Sequence, residues 1–284
     1  MGLNKLLVGT AIAALALTAS AANAGTVSTI WGNSATNGAP LLQQWDLSGN
    51  LLRTINAPNG FNGRGIVQVG DVVYYTSAST NGVYAYNFMT NTDLGTVFTV
   101  AGASGLATMA YDGSHFFIGD YSGTQNAYEY SLTGTLVKTI ALKNCSGFCD
   151  GLEFANGHLV SNEYDGGFGG SNTYDVYDLN GNVTTAGLIH GQDSSGNTGI
   201  AFDGTDYYVS NIFVNTIGVY DGSGNFLHNI VLQTGGNPTL VEDLSVNYTQ
   251  VLSVPEPATW GMMIAGLGLA GAALRRRRTS FAAI

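Results

Sequence analysis

The sequence predicts an all-β fold: a β-propeller, with five four-stranded blades as the first reading and six as the alternative. Three observations carry this. The stretch between the two chain ends is rich in Gly, Asn, Ser, Thr and Tyr, with 40 Gly and 15 Tyr in the 284-residue chain. Tyr and Val suit strands, whereas Gly, Asn and Asp suit turns. No segment of that stretch sustains a helical apolar period. The pattern also repeats at a spacing near 43 residues, the length of one four-strand blade.

The repeat has two parts. The first is an apolar strand, a small turn and an aromatic strand, at Gly65–Tyr75, Met109–Phe117, Leu152–Val160 and Ile200–Tyr208. The second is an alternating strand, a Gly turn and another strand, at Gln44–Ile55, Tyr128–Ile140 and around Gly181 and Gly224. The turn glycines Gly49, Gly134, Gly181 and Gly224 lie 85, 47 and 43 residues apart, and a weaker copy from Tyr84 to Val97 divides the first interval. The repeat begins in mid-unit, with Ile30-Trp31 and Leu41–Ile55, so Val241–Val254 is expected to supply the missing inner strands and close the ring. Closure removes exposed sheet edges. A sixth blade would have to be hidden in the Tyr164–Thr173 and Gly187–Thr198 stretches. A β-sandwich would also show short strands but not the period.

The two ends read differently. Lys5 begins a positive segment, Leu6–Leu17 is apolar, and Ala22-Asn23-Ala24 is an A-x-A cleavage site, so residues 1–24 read as a secretory signal peptide for Sec export. At the other end stand Val254, Pro255, Glu256 and Pro257. An apolar, Gly- and Ala-rich run of about 15 residues follows, then Arg275, Arg276, Arg277 and Arg278. That run is at the short end for a transmembrane helix at 1.5 Å rise per residue, and the arginines should remain cytoplasmic. Motif, span and Arg cluster in this order resemble the PEP-CTERM sorting signal of Gram-negative bacteria. The resemblance implies recognition by an exosortase-type processing protease, a transient inner-membrane anchor, and release to the cell surface or extracellular matrix. The expected domains are 1–24, 25–253 and 254–284.

The exported part keeps four basic residues, Arg53, Arg64, Lys138 and Lys143, against eighteen acidic ones, a net charge of −14. Recognition of nucleic acid depends on basic patches, so no nucleic-acid partner is expected. Cys145 and Cys149 form an even pair in an exported chain and are expected to staple a loop as a local disulfide. Their C-x3-C spacing is not the C-x-x-C of thioredoxin-like redox sites.

Several motifs have chemical and structural readings side by side. Asp-x-[Ser/Asn]-Gly-Asn at Asp46, Asp178, Asp221 and Asp193 resembles a calcium loop, but strand residues follow at once where an EF-hand would continue to a Glu. A hairpin turn, with Asp bonding its own backbone and Gly at positive φ, accounts for the same residues. His115 and His158 hold the same repeat position as Asp206, which makes them turn residues, and His190 and His228 lack ligand spacing. The pairs Tyr74-Tyr75, Phe116-Phe117 and Tyr207-Tyr208 suggest sugar-stacking platforms, yet adjacent strand residues face opposite sides, so one ring of each pair should pack between blades.

The candidate site is geometric. In a propeller, strand-one starts and strand-two ends reach one face near the central channel. Here the former are Arg64, Asp150, Thr198 and Glu242-Asp243, and the latter Ser77, Asp120, Asn162-Glu163 and Asn211. Their residue types are similar to those of secreted six-bladed lactonases, which hold a divalent cation with Glu, Asn and Asp from inner strands. That resemblance implies Ca2+ on Asp150, Asn162, Asn211 and Asp243, with Glu163 or Glu153 as base, in a metal-dependent hydrolase or lyase. The first expectation is instead a non-enzymatic surface or matrix protein that binds exopolysaccharide, another glycan or a further matrix component.

Overall fold

The computed structural model describes residues 27–121, 123–145, 149–162, 172–192, 196–236 and 240–251. The signal peptide, the Val254–Pro257 motif, the Arg275–Arg278 cluster, Glu163 and Asp193 lie outside the described residues. One compact unit, Ala24–Ser253, holds every described element.

Five antiparallel four-stranded sheets make five blades. The first contains β1 (Thr29–Ser34), β2 (Leu41–Asp46) and β3 (Leu51–Asn56). The second runs β4 (Gly63–Val69), β5 (Val72–Ser77), β6 (Gly82–Asn87) and β7 (Thr92–Thr99). The third runs β8 (Leu106–Tyr111), β9 (His115–Asp120), β10 (Asn126–Ser131) and β11 (Leu136–Ala141). The fourth is β12 (Leu152–Ala155), β13 (His158–Asn162), β14 (Thr173–Tyr177) and β15 (Val183–His190). The fifth is β16 (Asn197–Phe202), β17 (Asp206–Asn211), β18 (Thr216–Asp221) and β19 (Phe226–Val231). A single last strand, β20 (Val241–Ser245), pairs with β1 and completes the first blade in the order β20-β1-β2-β3. More than one inner strand was expected from the closing segment, but β20 alone is supplied, because Ile30-Trp31 already lies in β1, the second strand of that blade. Inner strands β20, β4, β8, β12 and β16 pack side by side in a closed circle. The helix α1 (Tyr248–Val251) follows β20.

The turns explain themselves locally. Asp46 Oδ1 accepts from the backbone N–H of Ser48 and Asn50, both at 2.9 Å, while Oδ2 accepts from the Asn50 amide at 2.8 Å. Asp178 and Asp221 make the same three bonds with Asn180/Asn182 and Ser223/Asn225. These carboxylates are therefore held below their ordinary pKa, first by the Asn side chain and then by backbone N–H groups. At these three positions the calcium-like motif is a hairpin turn. Its glycine also makes room for the neighbouring blade. A Cβ on Gly49 would stand 2.0 Å from the Val231 carbonyl, and one on Gly181 1.8 Å from that of Ala141. Each turn thus seats one blade on the outer strand of its neighbour, and only Gly allows that approach.

Both rings of each aromatic pair are packed, with Tyr74 the least buried. Tyr74 meets Phe116 of the next blade at 4.9 Å between centroids, and Phe117 stacks on Phe154 of the blade beyond at 5.6 Å. Packing between blades, expected for one ring of each pair, thus takes in both. A propeller blade is covered on both faces by its neighbours, so alternation along its second strand does not separate inside from outside.

Candidate functional site at the channel mouth

Each inner strand enters the ring at the same face. The residues at that level are Arg64, Ala107, Asp150, Thr198 and Glu242, one per blade, and the strand pairing slips by a β-bulge at this level in four of the five blades. Bulges re-aim side chains. The positions after them are Gly65, Thr108, Gly151, Gly199 and Asp243. A Cβ on Gly151 would stand 1.9 Å from the Thr198 carbonyl oxygen and one on Gly199 2.3 Å from Asp243 Cα. The inner strands therefore converge too closely here for a side chain at most of these positions.

Arg64 is the centre of the mouth. Its Nη1 donates to Glu242 Oε1 at 2.6 Å, its Nη2 donates to the Tyr121 hydroxyl at 3.2 Å, and its guanidinium lies 4.8 Å from the Tyr121 ring centroid. Asp150 stands within electrostatic reach of both Arg64 and Glu242. Burial raises the Asp150 carboxyl, and Arg64 pulls it partly back. Burial likewise pushes Glu242 up to about 7, with Arg64 lowering it and Asp150 raising it further. One guanidinium thus serves two carboxylates, which repel one another. Asp150 Oδ1 and Arg64 Nε are both buried, and neither has a hydrogen-bond partner among the described residues. Unmet buried polar atoms are uncommon in folded chains and invite an explanation.

The other residues expected at the mouth have structural partners. Asp243 is fully buried, and its Oδ2 accepts from Ile66 N–H and Met109 N–H at 3.2 Å and from the Thr108 hydroxyl at 3.1 Å. The carboxylate of the closing strand therefore ties β20 to β4 and β8. Asn162 accepts from Gly151 N–H at 2.8 Å and donates to the Asn197 carbonyl at 3.2 Å, joining the fourth and fifth blades. Asn211 accepts from Phe213 N–H at 2.8 Å. Glu153 is fully buried further along β12, where it accepts from Phe154 N–H and the Tyr248 hydroxyl. Of the four residues considered for Ca2+, only Asp150 has a buried oxygen without a partner among the described residues; the other three spend their oxygens on protein donors. Among the described residues no group of three His, Cys, Asp or Glu side chains could hold a metal ion. The four do not fit a calcium site, and the Glu153 carboxylate is spent on Phe154 N–H and the Tyr248 hydroxyl.

Ser77, Asp120 and Thr198 also turn inward to protein partners: Asp120 accepts from the Thr124 and Tyr128 hydroxyls at 2.8 and 3.0 Å. His115 Nδ1 faces Asp112 at 3.2 Å and Glu129 at 3.6 Å, and His158 Nδ1 lies 3.0 Å from the Asn156 carbonyl, both beside tight turns. Cys145 and Cys149 are disulfide-bonded immediately before Asp150. What residue-by-residue reading missed is the aromatic rim. Phe61, Tyr121 and Phe213 are 49, 38 and 55 % exposed, and all three lie on loops at the mouth face. Each stands just before a strand-one start or just after a strand-two end, so the same geometric rule could have found them.

No curated protein matches the chain. Among solved structures 1120 chains match, so the architecture is too widely shared to indicate a function. One belongs to the crystal structure of a nidogen/laminin complex, with a TM-score of 0.53 and 12 % identity over 78 % of this chain and 81 % of that one. That likeness shows the fold alone. Among the described residues no helix is long and apolar enough to cross a membrane. The model of the PEP-CTERM protein-sorting motif matches residues 253–278, about a tenth of the sequence. The chain is accordingly a five-bladed β-propeller that carries a PEP-CTERM sorting signal, which implies export, transient membrane anchoring and processing by an exosortase.

Proposed function

We propose that the exported propeller is a surface or extracellular-matrix protein that binds glycan, exopolysaccharide above all, through the face around its channel mouth. One observation carries this reading: three of the four exposed Phe and Tyr rings among the described residues, Phe61, Tyr121 and Phe213, stand on loops of that one face. Exposed aromatic rings offer broad apolar faces at low entropic cost, and their clustering on a surface marks a contact site. Sugar rings present C–H faces that stack on such platforms, while their hydroxyls suit the Asn-, Ser- and Asp-rich loops beside them. The acidic charge speaks against nucleic acid, and the sorting signal supports a destination where polysaccharide is abundant.

The test is binding of matrix polysaccharide by the purified chain, compared with a Phe61→Ala/Tyr121→Ala/Phe213→Ala variant. Loss of at least tenfold in affinity with an unchanged melting temperature supports the reading. Equal binding by both proteins, or none by either, overturns it. A hydrolytic reading rests on a different observation, the two raised carboxyls Asp150 and Glu242 at one level of the channel mouth, a common feature of acid–base sites. Its check is turnover of lactones and glycosides by wild type and by Glu242→Gln.

A further inference from the structure

The mouth has an excess of negative charge and two buried polar atoms of opposite kind that lack partners among the described residues. Glu242 pairs directly with Arg64, and Asp150, at the same level of the ring, lies within electrostatic reach of both, so two carboxylates share one guanidinium. Arg64 is 6 % exposed and commits its two terminal nitrogens to Glu242 and Tyr121, leaving its buried Nε–H with no acceptor there. Asp150 Oδ1 is equally buried and has no donor. A molecule that completes this cluster must supply a donor, preferably cationic, to Asp150 and an acceptor to Arg64. It must also tolerate the Tyr121 ring, which covers the guanidinium on the solvent side and is partly exposed.

We propose that the channel mouth is a subsite for one amino-sugar unit with a free, protonated amine. This rests on the glycan-binding reading above and narrows it to a substrate class. The ammonium donates to Asp150 and supplies the missing positive charge, a neighbouring hydroxyl oxygen accepts from Arg64 Nε–H, and the sugar face lies on Tyr121. Charge-assisted bonds in a recess are stronger and more selective than neutral ones. An uncharged or N-acetylated sugar leaves the second carboxylate unanswered, and an anionic one adds to the repulsion. Glycans rich in free amines are therefore favoured over acetylated and uronate-rich chains.

The experiment is titration calorimetry on the full chain in detergent with three probes: a glucosamine oligomer, the N-acetylated oligomer of equal length, and a polyuronate. Wild type is expected to bind the free-amine oligomer at least tenfold more tightly than the other two, with affinity falling as salt rises. Asp150→Asn should abolish that preference, and Tyr121→Ala, at a ring 38 % exposed, should weaken binding of the amine oligomer, with its melting curve as the check that it folds. Should Asp150→Asn fail to fold, as its melting curve would show, Tyr121→Ala and the salt dependence decide. Equal affinity for the free-amine and acetylated oligomers overturns the subsite while leaving glycan binding intact. Failure of all three probes and of native matrix polysaccharide overturns both.

Discussion

Asp150 and Asp243 sit at successive levels of the same inner ring, and they do opposite things. Asp243 collects four donors from three strands: Ile66 N–H, Met109 N–H and the Thr108 hydroxyl on one oxygen and Leu244 N–H on the other. Asp150 has a buried oxygen with none among the described residues. Burial raises both carboxyls, so a titration shift does not tell them apart. Hydrogen-bond satisfaction does: a buried acid with a full set of donors is part of the closure, and one left unsatisfied one level nearer the surface is available to a ligand.

The largest effect that would break this contrast is at Asp243. Asp243→Ala is expected to cost roughly 3–5 kcal/mol, because it strands donors in a dry core and unties the closing strand from two blades. Asp243→Asn should cost less but still destabilise, since its amide nitrogen would face an N–H donor in either orientation: Leu244 N–H in one, Ile66 and Met109 N–H in the other. Urea unfolding followed by tryptophan fluorescence measures both, and a loss below about 1 kcal/mol for Ala would remove Asp243 from the closure.

Next in size is a pH effect deeper in the ring. Burial pushes Glu153 from 4.5 up to about 8, outweighing its bonds from Tyr248 and backbone N–H groups. A carboxyl raised on folding contributes stability that is fully present below its unfolded pKa and lost as pH climbs to the folded value. The propeller should therefore weaken between about pH 4.5 and 8, on the order of a few kcal/mol from this residue. Glu242 and Asp150 act in the same direction, so the difference between wild type and Glu153→Gln isolates the Glu153 share. The variant should show a flatter stability profile over that window, and parallel profiles would rule the assignment out. The smallest effect sharpens the comparison from the other side: Asp150→Asn should change stability at pH 7 by less than about 1 kcal/mol, or raise it slightly, since it removes a desolvated charge with no donor at Oδ1. A loss comparable to that of Asp243→Ala would make Asp150 a structural residue too.

Much of the architecture was legible from spacing. The turn glycines set the blade period, the aromatic second strands marked the blade interiors, and the unfinished first unit foretold the closing strand. The Asp-Gly-Asn turns were readable because their bonds join residues at most four apart. The site was readable only in outline. The rule that strand-one starts share a mouth placed Arg64, Asp150 and Glu242 at one level correctly. It could not say that Asn162 and Asn211 turn to backbone partners, or that Asp243 spans three strands.

Sequence alone determined the class of fold, the blade length and the destination of the chain, because each rests on short-range chemistry: strand alternation, turn stereochemistry, and a linear motif followed by an apolar run and four arginines. Tertiary structure alone decided the mouth. Arg64 and Glu242, the central ion pair, are 178 residues apart, and they meet only because the last strand returns to complete the first blade. Which carboxylate is satisfied and which is left open depends on donors from other blades, and the order of residues along the chain carries no record of those.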